Sequence, residues 1–321
     1  MKPFLITIDT EGDNLWARPS PLEVRNAGFL PRFQGLCEEF GFKPTYLTNW
    51  EMAHAPAFVT LVRRALAAGA AEVGCHIHAW DSPPAYALTA DDKRHHPYLI
   101  EYPDEVLRAK LRVQTAALED RFGVKMLSHR AGRWAFDERY ARALVDAGYR
   151  VDCSVTPGVS WRAQMGDPAR SGGSDYRGFP QEAYRVDLAD IRRPGDSPLL
   201  EVPMTTRPSW LGRHAAWCYR VPLLRRWASR AMPQVHWLRP TRDNRRALLR
   251  FARAEAAAPY LEFMIHSSEF MPGASPYFRD AGEIEYLYAT LRALFTVLAP
   301  THVGMTLAEF ERSIARAEAA A

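Results

Sequence analysis

Short apolar runs alternate with longer stretches of helical spacing over most of the chain. The runs are "FLITID" (4–9), "PTYLTNW" (44–50), "EVGCHIH" (72–78), "KMLSHRAG" (125–132), "YRVDCSV" (149–155), "LLEVPMT" (199–205) and "YLEFMIHSSE" (260–269). Helical stretches over 21–41, 56–69, 103–123 and 137–148 each end on a glycine, the residue that most readily takes the left-handed turn closing a helix. Strand alternating with helix predicts a parallel sheet covered by helices. About seven such units suit a closed or nearly closed (β/α) barrel better than an open sheet. A single domain over 1–321 is expected, with a last strand and helix over 302–321 and a long surface excursion over 157–198, where Gly, Pro, Ser and Asp accumulate.

Unusual polar groups fall at the carboxyl ends of these runs: Asp9 and Glu11, His76 and His78, Arg130, Asp152, and His266 with Glu269. In parallel α/β folds that edge builds the site, so residues far apart in sequence are expected to meet at one mouth. Two imidazoles and a carboxylate suit a divalent ion such as zinc. Asp9 and Glu11 share a strand face, so one can hold the ion while the other takes a proton from water. Arg130 would keep that basic carboxylate ionised, and His266 would donate a proton to a leaving group. His76–x–His78 places both rings on one side of a strand.

Composition narrows the setting. At 47% hydrophobic and 24% charged, the 321-residue chain is of globular type. Its start carries no signal-peptide pattern, no run is long enough for a membrane span, and the four cysteines (37, 75, 153, 218) form no close pair. A reduced, cytoplasmic protein is expected. The net charge of +4 is lopsided: between Arg207 and Arg253 stand twelve arginines against Asp243 alone, with four of the nine tryptophans. This basic insertion, about 207–253, reads either as a charged helical element packed on the barrel or as a surface for phosphates, acidic sugars or lipid headgroups, with peripheral contact at the inner face of a membrane. No nucleic-acid-binding module accompanies the charge.

"TIDTEGD" (7–13), "EVGCHIHAW" (72–80), "SHRAGRW" (128–134), "YRVDCSVTP" (149–157) and "FMIHSSE" (263–269) resemble, in order and spacing, the five motifs of polysaccharide deacetylases, the NodB-like family 4 carbohydrate esterases. The resemblance implies a distorted (β/α) barrel and metal-dependent removal of an N-acetyl group from an amino sugar. By motif position it implies Asp9 as catalytic base, Arg130 as the arginine holding it, His266 as general acid and His76 as a metal ligand. Asp152 and Trp161 match the motif that lines the substrate groove, and Trp80 and Glu269 are expected there too. Two departures stand out. Thr10 replaces the second of two adjacent aspartates, leaving Glu11 or Asp13 as the metal carboxylate. Trp80 replaces the second histidine, so His78 becomes the third ligand or a sugar-facing ring. The expected substrate is an N-acetylated saccharide, anionic or lipid- or nucleotide-linked, as in lipopolysaccharide or capsule assembly. A carbohydrate-binding protein that has lost the ion is the alternative, and a phosphoesterase or amidohydrolase ranks below both.

Overall fold

The computed structural model describes residues 1–17, 21–164, 173–209 and 235–320. Its strands are β1 (Lys2–Thr10), β2 (Pro44–Thr48), β3 (Glu72–Ile77), β4 (Ser128–Ala131), β5 (Val151–Asp152), β6 (Tyr184–Arg185), β7 (Leu200–Glu201), β8 (Thr206–Pro208), β9 (Val235–Trp237), β10 (Leu261–His266) and β11 (His302–Met305). Nine of them form one sheet in the order β10-β1-β2-β3-β4-β5-β7-β6, with β11 also pairing β1. All pairs are parallel except β6 with β7. The sheet curls into a half-barrel rather than closing by a continuous ladder. Two side-chain bonds cross the remaining seam, from Glu262 N to Thr205 Oγ1 (2.8 Å) and from Tyr260 Oη to the Pro203 carbonyl (2.8 Å).

The predicted helices form where their caps direct. Pro56 opens Pro56–Ala67, and Asp137 caps Glu138–Asp146 by accepting from Tyr140 N at 2.8 Å. Asp280 does the same for Ala281–Leu298 through Glu283 N (2.8 Å). Gly41, Gly69, Gly123 and Gly148 all have positive φ, between 61° and 87°, at the helix ends where the sequence placed them. The final strand and helix form as His302–Met305 and Leu307–Ala320.

Strand parity organises the interior. Phe4, Ile6 and Ile8 join the large core beneath the helices, whereas Leu5 belongs to a smaller cluster with Leu47, Val151, Cys153, Leu200 and Val202 inside the curl. Beyond Leu5, the same face of β1 continues through Thr7 to Asp9, with Glu11 just past the strand. The inner face thus passes from apolar at the barrel floor to acidic at the mouth.

Two expectations need correction. Among its described residues the 157–198 stretch is no surface excursion: Tyr176, Tyr184, Val186 and Ile191 are buried in it, and Tyr184–Arg185 extends the sheet. Its turn-forming residues lie between apolar side chains that supply the anchor. The basic insertion is not wholly helical among the described residues, because β8 and β9 pair antiparallel before the helix Arg245–Ala254. Residues 210–234, with Trp210, Trp217, Trp227, Arg225, Arg226, Arg230 and the expected membrane contact, lie outside the described residues. No described helix is long and apolar enough to cross a membrane.

Candidate metal centre

Adjacent strands bring the site together in register. Asp9 on β1 lies beside His266 on β10, and His76 on β3 lies beside Arg130 on β4. Glu11, His76 and His78 are buried, and one ligand atom from each lies within 4.8 Å of the others. His78 Nε2 is 2.7 Å from Glu11 Oε2 and 3.1 Å from His76 Nε2, while His76 Nε2 is 3.7 Å from the same carboxylate oxygen. Ligand atoms each about 2.0–2.1 Å from a tetrahedral ion stand roughly 3.3 Å apart, so the spacing fits.

The imidazole roles support that fit. His76 Nδ1 donates to the Arg130 carbonyl (2.9 Å), which leaves the Nε2 lone pair directed at the cluster. Three such groups can hold a metal ion. Asp13, the competing carboxylate, is committed elsewhere: it accepts from Asn26 N (2.9 Å), Asn26 Nδ2 (2.6 Å) and Arg25 N (3.2 Å), pinning the loop after β1.

Arg130 is fully buried. It donates to Asp9 Oδ1 (2.7 Å), Thr7 Oγ1 (2.8 Å), Glu262 Oε1 (2.5 Å) and the Cys153 carbonyl (3.0 Å). Burial alone would push the Asp9 carboxyl up, but Arg130, followed by His76 and His266, offsets this and holds it below the ordinary carboxylate range. Glu11 is held well below that range, against burial, by the two imidazoles. Glu262 goes the other way: burial outweighs Arg130 and Thr7 and raises it to about 7.

Opposite Arg130, His266 presents Nε2 to Asp9 Oδ2 (3.8 Å) and Glu11 Oε1 (3.6 Å). Its Nδ1 lies 2.8 Å from Glu269 Oε1, which also accepts from Arg239 Nη2 at 2.6 Å. Trp16 packs edge-on against the His266 ring at 4.8 Å. A cavity of about 370 Å³ opens over these groups, lined also by Trp80, Arg133, Trp134, Trp161 and Tyr277. The Trp134 and Trp161 rings stack parallel, 6.3 Å apart, and the Trp80 ring lies 4.4 Å from His78. Arg133 and Trp134 reach the cavity through left-handed backbone (φ 56° and 61°), a conformation costing bulky residues about 1–3 kcal/mol each.

Two sequence expectations fail here. Asp152 does not face the cavity: it pairs in register with His129 and bonds that ring (2.6 Å) on the helix-covered side, where His129 also meets Tyr140 (2.9 Å). Glu269 is fully buried and turned under His266 by the Ser267–Phe270 turn, so it supports the histidine rather than lining the groove. Trp80 and Trp161 do line the cavity. Sequence reasoning missed Glu262, Arg239, Trp134 and Trp16. An acid in the middle of "YLEFMIH" was the available signal for the first; indoles beside "SHRAG" and "TEGD" were the signal for two more.

No protein-family model and no curated protein matches the chain. Solved structures do. A protein from Mycobacterium smegmatis, provisionally named a polysaccharide deacetylase, is 14% identical with a TM-score of 0.54, over 98% of this chain and 91% of its own. One from Parabacteroides distasonis, provisionally named a glycoside hydrolase/deacetylase, is 9% identical with a TM-score of 0.56, over 97% of this chain and 70% of its own. The 4-alpha-glucanotransferase of Thermococcus litoralis is 13% identical with a TM-score of 0.52, over 97% of this chain and 38% of its own. At such identity the likeness is one of fold, and the fold is the distorted, NodB-like (β/α) barrel that the five sequence motifs implied.

Proposed function

We propose that the chain is a metal-dependent hydrolase that removes an N-acetyl group from an amino sugar, releasing acetate and the free amine. The observation supporting this most directly is the convergence of Glu11, His76 and His78 in one cavity, flanked by the Asp9–Arg130 and His266–Glu269 pairs. Two imidazoles and one carboxylate suit zinc best among common divalent ions. When bound, such an ion supplies Lewis acidity toward the amide oxygen and makes water more acidic.

The remaining work falls to side chains. Asp9, kept ionised by Arg130, accepts a proton from the attacking water. Protonated His266, its Nδ1–H held by Glu269, gives the Nε2 proton to the departing nitrogen. Trp80, Trp134 and Trp161 offer apolar faces to the sugar ring and narrow the water around the amide. We place the reaction in the cytoplasm, a reading supported by buried, unpaired Cys37, Cys75 and Cys153. A lipid- or nucleotide-linked saccharide for cell-surface polysaccharide assembly is the substrate class in keeping with that compartment.

Acetate release from N-acetylated chito-oligosaccharides, measured on zinc-loaded protein, tests the reading. Asp9→Asn and His266→Ala should each lose about 10²- to 10⁴-fold in rate with unchanged melting. Retained activity in either removes the assigned role. Sugar binding and an unaltered fold with no acetate released by the wild type would select the binding-protein alternative.

A further inference from the structure

A second cavity, of about 740 Å³, adjoins the first and shares Trp134, Trp161 and Arg239 with it. Its far side is built by β9 and the turn leading to helix Arg245–Ala254, which contribute His236, Trp237 and Arg242. Trp237 completes a cluster of three indoles, 6.0 Å from Trp161 and 6.2 Å from Trp134, so one aromatic wall runs from the metal centre into the second cavity. The acids Asp9 and Glu11 lie at the metal centre, and among the described residues the second cavity is lined by Arg239, Arg242 and His236 with Asp243 as its acid. Asp243 accepts from Thr241 Oγ1 at 3.1 Å. Arg242 forms no ion pair with a described carboxylate within 4.0 Å, although it lies in the field of Glu283.

From this we infer that the second cavity is a subsite for a phosphate group carried by the amino sugar whose amide lies at the metal centre. The inference rests on the deacetylase reading for the direction in which the substrate lies, and adds what its far end must be. The Arg242 guanidinium and the His236 imidazole offer the phosphate its hydrogen-bond donors, and Arg239, whose Nη2 is committed to Glu269, adds positive charge behind them. The volume exceeds what a phosphate alone needs and falls in the range of whole ligand sites, so there is room for part of the group beyond the phosphate. That group is a nucleoside or a lipid, and both deliver the same phosphate chemistry to Arg242.

Isothermal titration of the full chain separates the cases. The probes are N-acetylglucosamine 1-phosphate, its uridine diphosphate ester, its polyprenyl diphosphate ester in detergent micelles, and neutral methyl N-acetylglucosaminide. The sugar phosphate should bind at least about tenfold more tightly than the neutral glycoside, as expected for a charge-assisted contact. Arg242→Gln should bring the two within about twofold, while Arg242→Lys should keep part of the preference. Whichever diphosphate ester gains further affinity identifies the source. Should Arg242→Gln not fold by circular dichroism, His236→Gln carries the same comparison with a smaller loss. Equal binding of charged and neutral probes, no binding of any probe, or a preference that survives both substitutions overturns the subsite. Because binding is read without turnover, a phosphate preference lost in Arg242→Gln, found together with no acetate release, would leave the subsite standing and remove the proposed reaction instead.

Discussion

His76 and His78 leave the same strand end on the same face, yet they are seated by different physics. His76 is oriented by a hydrogen bond, Nδ1 to the Arg130 carbonyl at 2.9 Å, which fixes both ring plane and tautomer. His78 has no such acceptor: its Nδ1 is buried without a hydrogen-bond partner among the described residues. Shape holds it instead, between the Trp80 ring and the backbone of Gly132, where a Cβ would sit 2.8 Å from Nδ1 and 2.4 Å from the Ile77 carbonyl oxygen. Burial disfavours the charged form of both rings, yet their net shifts differ in sign. Asp9 and Glu11 outweigh desolvation at His76 and raise its pKa, whereas desolvation prevails at His78 and lowers it. The Nδ1 side of one candidate ligand ring is thus set by a polar contact and that of the other by packing, and substitutions of the two kinds should act on them separately.

The largest contrast should come from the rings themselves. His76→Ala is expected to lower zinc affinity by more than about 100-fold and by more than His78→Ala does, because only His76 arrives with its tautomer fixed. Competition against a chromophoric chelator measures both, and the reverse order breaks the comparison.

Next comes the polar frame behind His76. Glu262 holds the Arg130 guanidinium, and burial raises its folded pKa to about 7, above the ordinary glutamate value of about 4.3. The folded state therefore keeps a proton that the unfolded chain loses between these values, and stability from this group falls as pH rises through that window. Glu262→Gln removes the effect. From pH 5 to 7.5 its stability relative to wild type should rise by about 2–3 kcal/mol, on the order of 1.4 kcal/mol per pH unit up to the folded pKa. Urea unfolding at the two pH values checks this, and a constant difference would show that Glu262 is already ionised below pH 5.

Smaller effects should separate out the packed ligand. Gly132→Ala is expected to cost about 1–3 kcal/mol of stability through overpacking, and to weaken zinc about 10-fold by displacing the His78 ring. Weakening of stability without any change in zinc affinity would mean that His78 is not a ligand. Trp80→Leu removes only the other wall of the seat and should weaken zinc by less than about 10-fold.

Much of this was legible before any coordinates. The strand and helix alternation, the glycine stops and the acid-tipped inner face of β1 follow from local rules, and those rules operate on neighbouring residues. What failed depended on length or on long-range packing. A strand of two residues, Val151–Asp152, carries too little pattern to show which side Asp152 faces; only its register with His129 decides that. Glu269 was read as a continuation of the strand, but the turn it sits in folds the carboxylate back beneath His266. The partnership of Arg239 with Glu269 joins positions 30 apart, and that of Arg130 with Glu262 positions 132 apart, so neither leaves a local trace.

Glu262 is also a tie in the barrel wall. Its backbone N–H meets Thr205 across the one gap that the described ladder leaves unpaired, while its carboxylate grips Arg130. Fastening the wall and, on the proposed mechanism, aiming the base are therefore duties of the same residue. If the barrel parts along this line, as in breathing motions or early unfolding, Asp9 should lose its orientation before the helices outside have shifted.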